Sequence, residues 1–128
     1  REFSYCIEVV SGDRRGRLLG FPTINQFFPP NFVKLRKGVY ASKVELSHRW
    51  YPAVTNIGTR PTVDGESFRS ETCILGFSGD LYGAEVEVFL LDFLRDEKRF
   101  DSVETLTDAI SRDAKKAREI YEATKKKI

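Results

Sequence analysis

Short apolar runs separated by turn-forming residues fill the first hundred positions of the chain. Runs of this kind, rich in Val, Ile, Phe and Tyr, are typical of β-strands. In residues 85–88 acidic and apolar positions alternate, which predicts a strand with one face in water. Residues 47–49 lie between two such runs and predict a hairpin turn. The predicted strands run from Tyr5 to Val10, from Gly38 to Leu46, from Tyr51 to Ile57, from Glu71 to Phe77 and from Glu85 to Phe93.

The last quarter of the chain has the period of a helix. Its apolar positions recur every three or four residues, which predicts an amphipathic helix over about residues 102–126. Asp101 stands three positions before Glu104, so this pair predicts a capping box at the first turn. Lysines near the end suit a helix C-terminus. The apolar stripe consists of Val103, Leu106, Ile110, Ala114, Ala117 and Tyr121.

These elements predict one mainly β domain of the α+β class over residues 1–128. Several antiparallel strands followed by one helix leave two sheet edges that need partners. A closed or nearly closed barrel removes such edges. We therefore expect an antiparallel barrel, with strands between about residues 5 and 93 and the helix packed against it.

Composition favours a soluble globular chain. Of its 128 residues, 41% are hydrophobic and 31% are charged. The longest apolar run, residues 88–91, is far shorter than the roughly 20 residues that a membrane-spanning helix needs. The first residues contain no apolar core of a signal peptide. We therefore expect no membrane partner, and the absence of methionine predicts that the sequence is a piece of a longer protein.

The formal net charge of +2 is concentrated near the end of the chain. Residues 111–128 contain seven Lys or Arg residues against three acidic residues, so acidic residues slightly outnumber basic ones elsewhere. This distribution does not favour a broad basic surface. We therefore expect no nucleic-acid partner.

Cysteine and histidine are both scarce. Cys6 and Cys73 form neither a C-x-x-C pair nor a larger framework, which disfavours a disulfide scaffold and a structural zinc site. We expect two reduced, buried thiols in a cytoplasmic protein. The only histidine, His48, is expected in a solvated loop. Any catalysis therefore relies on carboxylates, hydroxyls and bound metal.

The segment from Gly12 to Asn25 is the richest in candidate chemistry. Its glycines let backbone N–H groups approach an anion, and its arginines can neutralise phosphate charge. Thr23 and Asn25 offer two oxygens to a hard cation such as Mg²⁺. Neither of the two common phosphate-binding spacings is present. A charged hairpin turn remains the alternative interpretation of this segment.

Three other segments carry candidate residues, each with a structural alternative. Residues 56–62 combine turn formers with a cation and predict a loop. Glu71 begins an apolar run, and a carboxylate at a strand end facing a barrel mouth can accept a proton from a substrate hydroxyl. Most glutamates in strands simply face water. Residues 93–100 form a charged segment that leads into the predicted helix and has a phenylalanine at each end. The alternative interpretation of this segment is a solvated connection without a functional role.

Seven motifs follow each other along the chain. They are G-D-x-x-G-R-x-L-G-F-P-T-x-N from Gly12, G-V-Y-A from Gly38, N-I-G-T-R-P-T from Asn56, the Glu71-Thr72 strand, G-D-L-Y-G from Gly79, L-R-x-E-x-x-F-D-S from Leu94 and D-x-x-x-A-R from Asp113. In this order they resemble the riboflavin kinase family, over about residues 9–121. Residues 58–62 are similar to bacterial members, in which the kinase is usually the C-terminal half of a bifunctional FAD synthetase.

The resemblance implies a six-stranded, antiparallel, Greek-key-like barrel with a C-terminal helix. It implies transfer of the ATP γ-phosphate to the terminal ribityl hydroxyl of riboflavin, which gives FMN. In the family pattern Thr23 and Asn25 match the pair that holds Mg²⁺ and the nucleotide phosphates. Glu71 matches the carboxylate that deprotonates the attacking hydroxyl. One base, one metal and several donors suffice for this chemistry.

The resemblance also implies two loops that close over the ligands. The residues implied at the nucleotide are Gly12, Gly16, Arg17 and Tyr82. The residues implied at the flavin, on a second flap, are Arg95, Lys98 and Phe100. The resemblance to bifunctional bacterial members implies an FMN adenylyltransferase domain upstream in the parent chain. The H-x-G-H motif of that domain needs two histidines and this sequence has one, so FAD synthesis is not expected from these residues alone.

Three positions depart from the family pattern. Cys73 and Gly76 stand where members often carry His and either Asp or His, and Glu8 stands where members often carry Gly. A non-catalytic flavin- or nucleotide-binding module therefore remains an alternative. A small barrel that binds single-stranded nucleic acid is a third possibility, although the sequence lacks a basic groove for it.

Overall fold

A computed structural model of the protein describes residues 3–10, 23–29, 35–62 and 65–125. These residues form six β-strands followed by one α-helix. The elements are β1 (Phe3–Glu8), β2 (Thr23–Phe27), β3 (Gly38–Leu46), β4 (Arg49–Thr62), β5 (Gly65–Ile74), β6 (Glu85–Arg95) and α1 (Val103–Lys125). The predicted fold class, a mainly β domain with a C-terminal helix, is confirmed.

The six strands form one antiparallel sheet in the order β1-β6-β3-β4-β5-β2. The sheet curls so that its two edge strands meet. The backbone N–H of Val10 donates to the carbonyl of Asn25 over 2.8 Å. The side-chain amide of Gln26 donates to the carbonyls of Ile7 and Val86 over 2.7 and 2.9 Å. These bonds tie β2 to β1 and β6, as a nearly closed barrel requires.

The hairpin between β3 and β4 is the tightest connection in the described part of the chain. Its two central residues, Ser47 and His48, have positive φ angles of 51° and 67°. Positive φ at both positions is the signature of a type I′ turn, whose twist matches that of the paired strands. His48 is exposed there, as predicted from the sequence.

The inner face of the curled sheet combines an apolar core with a line of buried hydroxyls. Val44, Ile57 and Val88 are fully buried among the apolar residues. Thr55 joins Ser42 and Thr72 through hydroxyl–hydroxyl hydrogen bonds of 2.8 and 2.9 Å. Because these polar atoms satisfy one another, the interior tolerates them. Alternate residues of the same strands point to the outer face.

Helix α1 covers part of the outer face. Ala117 of the helix packs against Ala41, Cys73 and Leu75 of the sheet. Small side chains at this contact let the helix approach the sheet closely. In the described residues no helix is long and apolar enough to cross a membrane.

Several predicted boundaries are wrong. No strand was predicted in the candidate phosphate-binding segment from Gly12 to Asn25, and Thr23–Phe27 forms β2. The third predicted strand ends at Ile57, whereas β4 continues to Thr62, through a segment that was interpreted as a loop. Its turn-forming composition is overridden because both neighbouring strands pair with it. β5 begins at Gly65, so Glu71 lies inside that strand and not at its start.

The cysteine prediction is wrong in one respect. Cys73 is buried as expected, but Cys6 is exposed on edge strand β1. Both thiols are free.

The N-terminal cap of α1 also differs from the prediction. Ser102, and not Asp101, directly precedes the first helical residue. The N–H of Thr105 donates to Ser102 Oγ over 3.2 Å, and the N–H of Ser102 donates to Thr105 Oγ1 over 3.3 Å. This reciprocal pair is a capping box shifted by one residue, with Thr in place of Glu.

Ser102→Ala should lower the free energy of unfolding by about 1 kcal/mol, because a first-turn N–H loses its acceptor. Asp101→Ala is the matched control and should cost less than half as much. Urea unfolding followed by circular dichroism measures both. A larger loss for Asp101→Ala would show that the sequence prediction of the cap was right.

Candidate functional site

A cavity of about 820 Å³ lies between the outer face of the sheet and the first half of α1. Its walls come from the five strands β2 to β6, from the segment between β6 and α1, and from the helix itself. Polar and charged side chains form much of the wall on the sheet side. The lining includes Thr23, Val39, Asn56, Arg69, Glu71, Cys73, Arg95, Lys98, Phe100 and Asp113.

Strand register sets five residues in a row across this face. Glu71 of β5 is the pairing partner of Asn25 on β2 and of Asn56 on β4. Asn56 in turn pairs with Val39, and Val39 pairs with Arg95. Directly paired residues point to the same side of a sheet, with Cβ atoms about 5 Å apart. The row therefore places a carboxylate between two amides, with an apolar residue and a cation beyond them.

Glu71 lies in the cavity wall, not at a barrel mouth as the sequence analysis predicted. Its side chain is 22% exposed, so a ligand in the cavity can reach it. Arg69 Nη2 lies 3.4 Å from Glu71 Oε1 and restrains the carboxylate. A carboxylate that is oriented and partly shielded from water can accept a proton from a bound hydroxyl.

Thr23 and Asn25 fit the oxygen donors that Mg²⁺ prefers. They are two residues apart on β2, so they share the face of Glu71. Asn25 is buried, and within the described residues its Oδ1 has no hydrogen-bond partner. The same part of the chain contains no group of three His, Cys, Asp or Glu residues that could cage a metal ion. A few protein oxygens supplemented by substrate phosphates are the usual Mg²⁺ environment.

The three residues predicted at the flavin, Arg95, Lys98 and Phe100, line the cavity at the end of β6 and in the segment before α1. The Arg95 guanidinium donates to Asp113 on α1 through Nε and Nη2, over 3.1 and 2.8 Å. Its Cζ lies 5.5 Å from the centre of the Phe100 ring. Asp113 is buried, so this two-pronged pair fixes the end of β6 to the helix.

Tyr82 does not line the cavity. Tyr82 is 67% exposed in a turn whose next residue, Gly83, donates its N–H to the carbonyl of Val9. That contact joins the turn to the residue that follows β1. Gly12, Gly16 and Arg17 lie outside the described residues.

Cys73 lines the cavity two residues beyond Glu71, where the family often carries His. Burial raises the pKa of the Cys73 thiol, and the nearby charge of Arg118 opposes the rise. The thiol is therefore held as a neutral, poorly nucleophilic group. Cys73 fits a packing role under the helix better than a chemical one.

Sequence reasoning missed two residues of this site. Asn56 lies where a predicted strand meets a predicted loop, with no site role assigned to it, and Asp113 appears only as part of a helical motif. Asn56 is recognised as a site residue from the register between β4 and β5, which places it beside Glu71. That register depends on which strands pair. The signal for Asp113 was a buried acidic position on the apolar side of α1, four residues before Ala117. A charge on the buried side of a helix requires a partner, and Arg95 is that partner.

Fold and site together define a class: a curled antiparallel barrel with a polar, ligand-sized cavity under its C-terminal helix. A family model described as flavokinase, riboflavin kinase, matches residues 1–121. The chain belongs to the riboflavin kinase family.

Individual relatives agree with this assignment. The bifunctional riboflavin kinase/FMN adenylyltransferase of Escherichia coli is 42% identical over 130 residues, which cover 96% of this chain and 39% of that protein. The RNA-binding riboflavin kinase RibR of Bacillus subtilis is 40% identical over 106 residues, or 82% of this chain and 45% of that protein. The chain thus spans less than half the length of these relatives.

A solved structure supports the fold. Riboflavin kinase from Trypanosoma brucei aligns with a TM-score of 0.67 over 95% of this chain and 81% of that chain. The two sequences are 24% identical, so this likeness concerns the architecture.

Asp113→Asn should lower the free energy of unfolding by about 3 kcal/mol, because it leaves the Arg95 charge half-buried without its partner. Asp96→Asn is the control, since Asp96 pairs with Arg36 over 3.3 Å with both side chains more than 60% exposed. That variant should change stability by less than about 0.5 kcal/mol. Thermal and urea unfolding measure both, and equal losses would contradict a structural role for the buried pair.

Proposed function

We propose that this chain transfers the γ-phosphate of ATP to the 5′-hydroxyl of the ribityl chain of riboflavin, giving FMN and ADP. The observation that carries the proposal is the position of Glu71 between Asn25 and Asn56 in the wall of a ligand-sized cavity. Membership of the riboflavin kinase family supports it. We also propose that residues 1–128 form a single kinase domain.

Glu71 acts as the base in this proposal. Its carboxylate accepts the proton of the ribityl hydroxyl as the hydroxyl oxygen forms a bond to the γ-phosphorus. The bond from that phosphorus to the oxygen bridging the β- and γ-phosphates breaks, and ADP leaves with the electron pair. Phosphoryl transfer depends mainly on alignment and charge neutralisation, so a single restrained carboxylate is sufficient. Arg69 supplies the restraint.

Thr23 and Asn25 form the nucleotide side of the site. They would hold Mg²⁺ together with the ATP phosphates, since both offer neutral oxygen atoms beside Glu71. Bound there, the cation supplies neutralisation of phosphate charge. We assign Gly12, Gly16, Arg17 and Tyr82 to the same nucleotide side, on the family pattern.

Arg95, Lys98 and Phe100 form the flavin side. Arg95 contributes by fixing the end of β6, because its charge is already engaged by Asp113. Phe100 offers an aromatic surface and Lys98 a cation in the same wall. A planar, uncharged flavin ring suits such a surface.

The proposal also concerns the longer protein to which this chain belongs. We infer an FMN adenylyltransferase domain upstream, because the chain covers only 39% of its bifunctional Escherichia coli relative. Two free cysteines favour the cytoplasm as its location. The proposal contains no nucleic-acid partner, since the excess of basic residues is confined to the last part of the chain.

The purified chain should convert riboflavin to FMN with ATP and Mg²⁺, and EDTA should abolish the conversion. Chromatography with flavin fluorescence detection separates substrate from product. If riboflavin binds but no FMN forms at any metal concentration, the non-catalytic binding module becomes the better interpretation.

Glu71→Gln should reduce turnover at least about 100-fold, because a positioned general base contributes on this scale. Riboflavin affinity should change little, since Gln retains the shape of the side chain. Glu45→Gln is the matched control, because Glu45 is an exposed strand carboxylate on β3. Steady-state kinetics and flavin fluorescence titration test both variants, and near-normal turnover of Glu71→Gln would remove Glu71 from the role of base.

A further inference from the structure

Asn56 occupies a position that the proposed reaction does not yet use. It lies on β4 directly beside Glu71, and its side chain lines the cavity. Its Oδ1 is buried, and no described residue donates a hydrogen bond to that oxygen. Asn25 shows the same feature on the other side of Glu71.

A buried amide oxygen without a partner is costly and rare in folded proteins. The chain avoids this cost at the neighbouring position, because Thr55 is bonded to two hydroxyls on the inner face. Gln26 and Ser70 also have a buried side-chain oxygen without a partner among the described residues, but neither residue lines the cavity. Asn56 does line it, so a ligand in the cavity can supply the missing partner.

The order of the paired residues across the sheet places Asn25 and Asn56 on opposite sides of Glu71. Asn25 shares β2 with Thr23, the pair assigned to the metal and the phosphates. Asn56 lies on the opposite side of Glu71, towards Val39 and Arg95 and hence towards the flap that we assign to the flavin. A ligand that reaches from that flap to Glu71 must pass Asn56.

We propose that Asn56 binds the ribityl chain of riboflavin. This inference rests on the proposed function and assigns the acceptor side of the same site. A side-chain amide both donates and accepts hydrogen bonds, as does each hydroxyl of a sugar alcohol. Contact with Asn56 holds the chain so that its terminal hydroxyl meets the Glu71 carboxylate, while the ring occupies the flap side.

The test compares two ligands that differ only at the ribityl chain. Riboflavin carries it, and lumiflavin has a methyl group in its place. Asn56→Ala should weaken riboflavin binding about tenfold or more, since it removes a buried hydrogen-bonding group. Lumiflavin binding should be unchanged. Fluorescence titrations without nucleotide give both affinities.

Two further variants serve as controls. Ser70→Ala removes a fully buried polar side chain that is adjacent to Glu71 in sequence and faces the barrel interior, so it should not alter the preference for riboflavin over lumiflavin. Asn25→Ala should raise the Mg²⁺ concentration needed for half-maximal activity, whereas Asn56→Ala should raise the KM for riboflavin and leave the Mg²⁺ requirement unchanged. Melting temperatures confirm that each variant is folded, and Asn56→Ser replaces Asn56→Ala if the latter is not.

Each outcome separates this inference from the proposed function. Wild-type turnover with equal riboflavin affinity in Asn56→Ala overturns the role of Asn56 and leaves the kinase function intact. An equal loss of riboflavin and lumiflavin binding also overturns it, because the ribityl chain is then not the group recognised. A wild-type chain that neither binds riboflavin nor makes FMN overturns both.

Discussion

The pairing of β5 between β2 and β4 is the constraint on which the candidate site depends. Register alone places Asn25, Glu71 and Asn56 side by side, although 46 and 15 positions of sequence separate the two amides from the carboxylate. A slip of one residue in the register of β2 or β4 against β5 would turn the amide on that strand from the cavity side of the sheet to the barrel interior. The edge strand β2 is the weaker of the two partners, and Gln26 compensates by bonding to β1 and β6 across the closing edge.

The two faces of β4 and β5 have different roles. Thr55 and Thr72 point inward, where their hydroxyls satisfy each other. Their chain neighbours Asn56 and Glu71 point outward into the cavity. A linked interior behind the site limits backbone movement, which favours the sub-ångström precision that phosphoryl transfer requires. Stability and site geometry thus come from alternating residues of the same strands.

Local sequence was sufficient for the elements whose signal is local. The alternation at residues 85–88, the hairpin at Ser47 and His48, and the helical period after residue 102 all appear in the structure. No strand was predicted over Thr23–Phe27 or beyond Ile57, because pairing partners far away in sequence decide the conformation there. The family resemblance supplied Glu71, Thr23 and Asn25, but no local pattern could supply Asn56 beside Glu71, because their adjacency exists only after β4 and β5 pair.

Asp113 determines how much positive charge Arg95 presents to the cavity. Arg95 would present a full positive charge on the flap side, but Asp113 engages two of its nitrogens and neutralises it. Lys98 and Arg99 also line this side of the cavity, so the pair removes one of several positive charges there. In the proposed reaction the two substrates differ in charge, since riboflavin is neutral and ATP is strongly anionic. The Arg95–Asp113 pair therefore does more than fix the end of β6, because it also lowers the positive charge that the proposed flavin end of the row would offer to a phosphate.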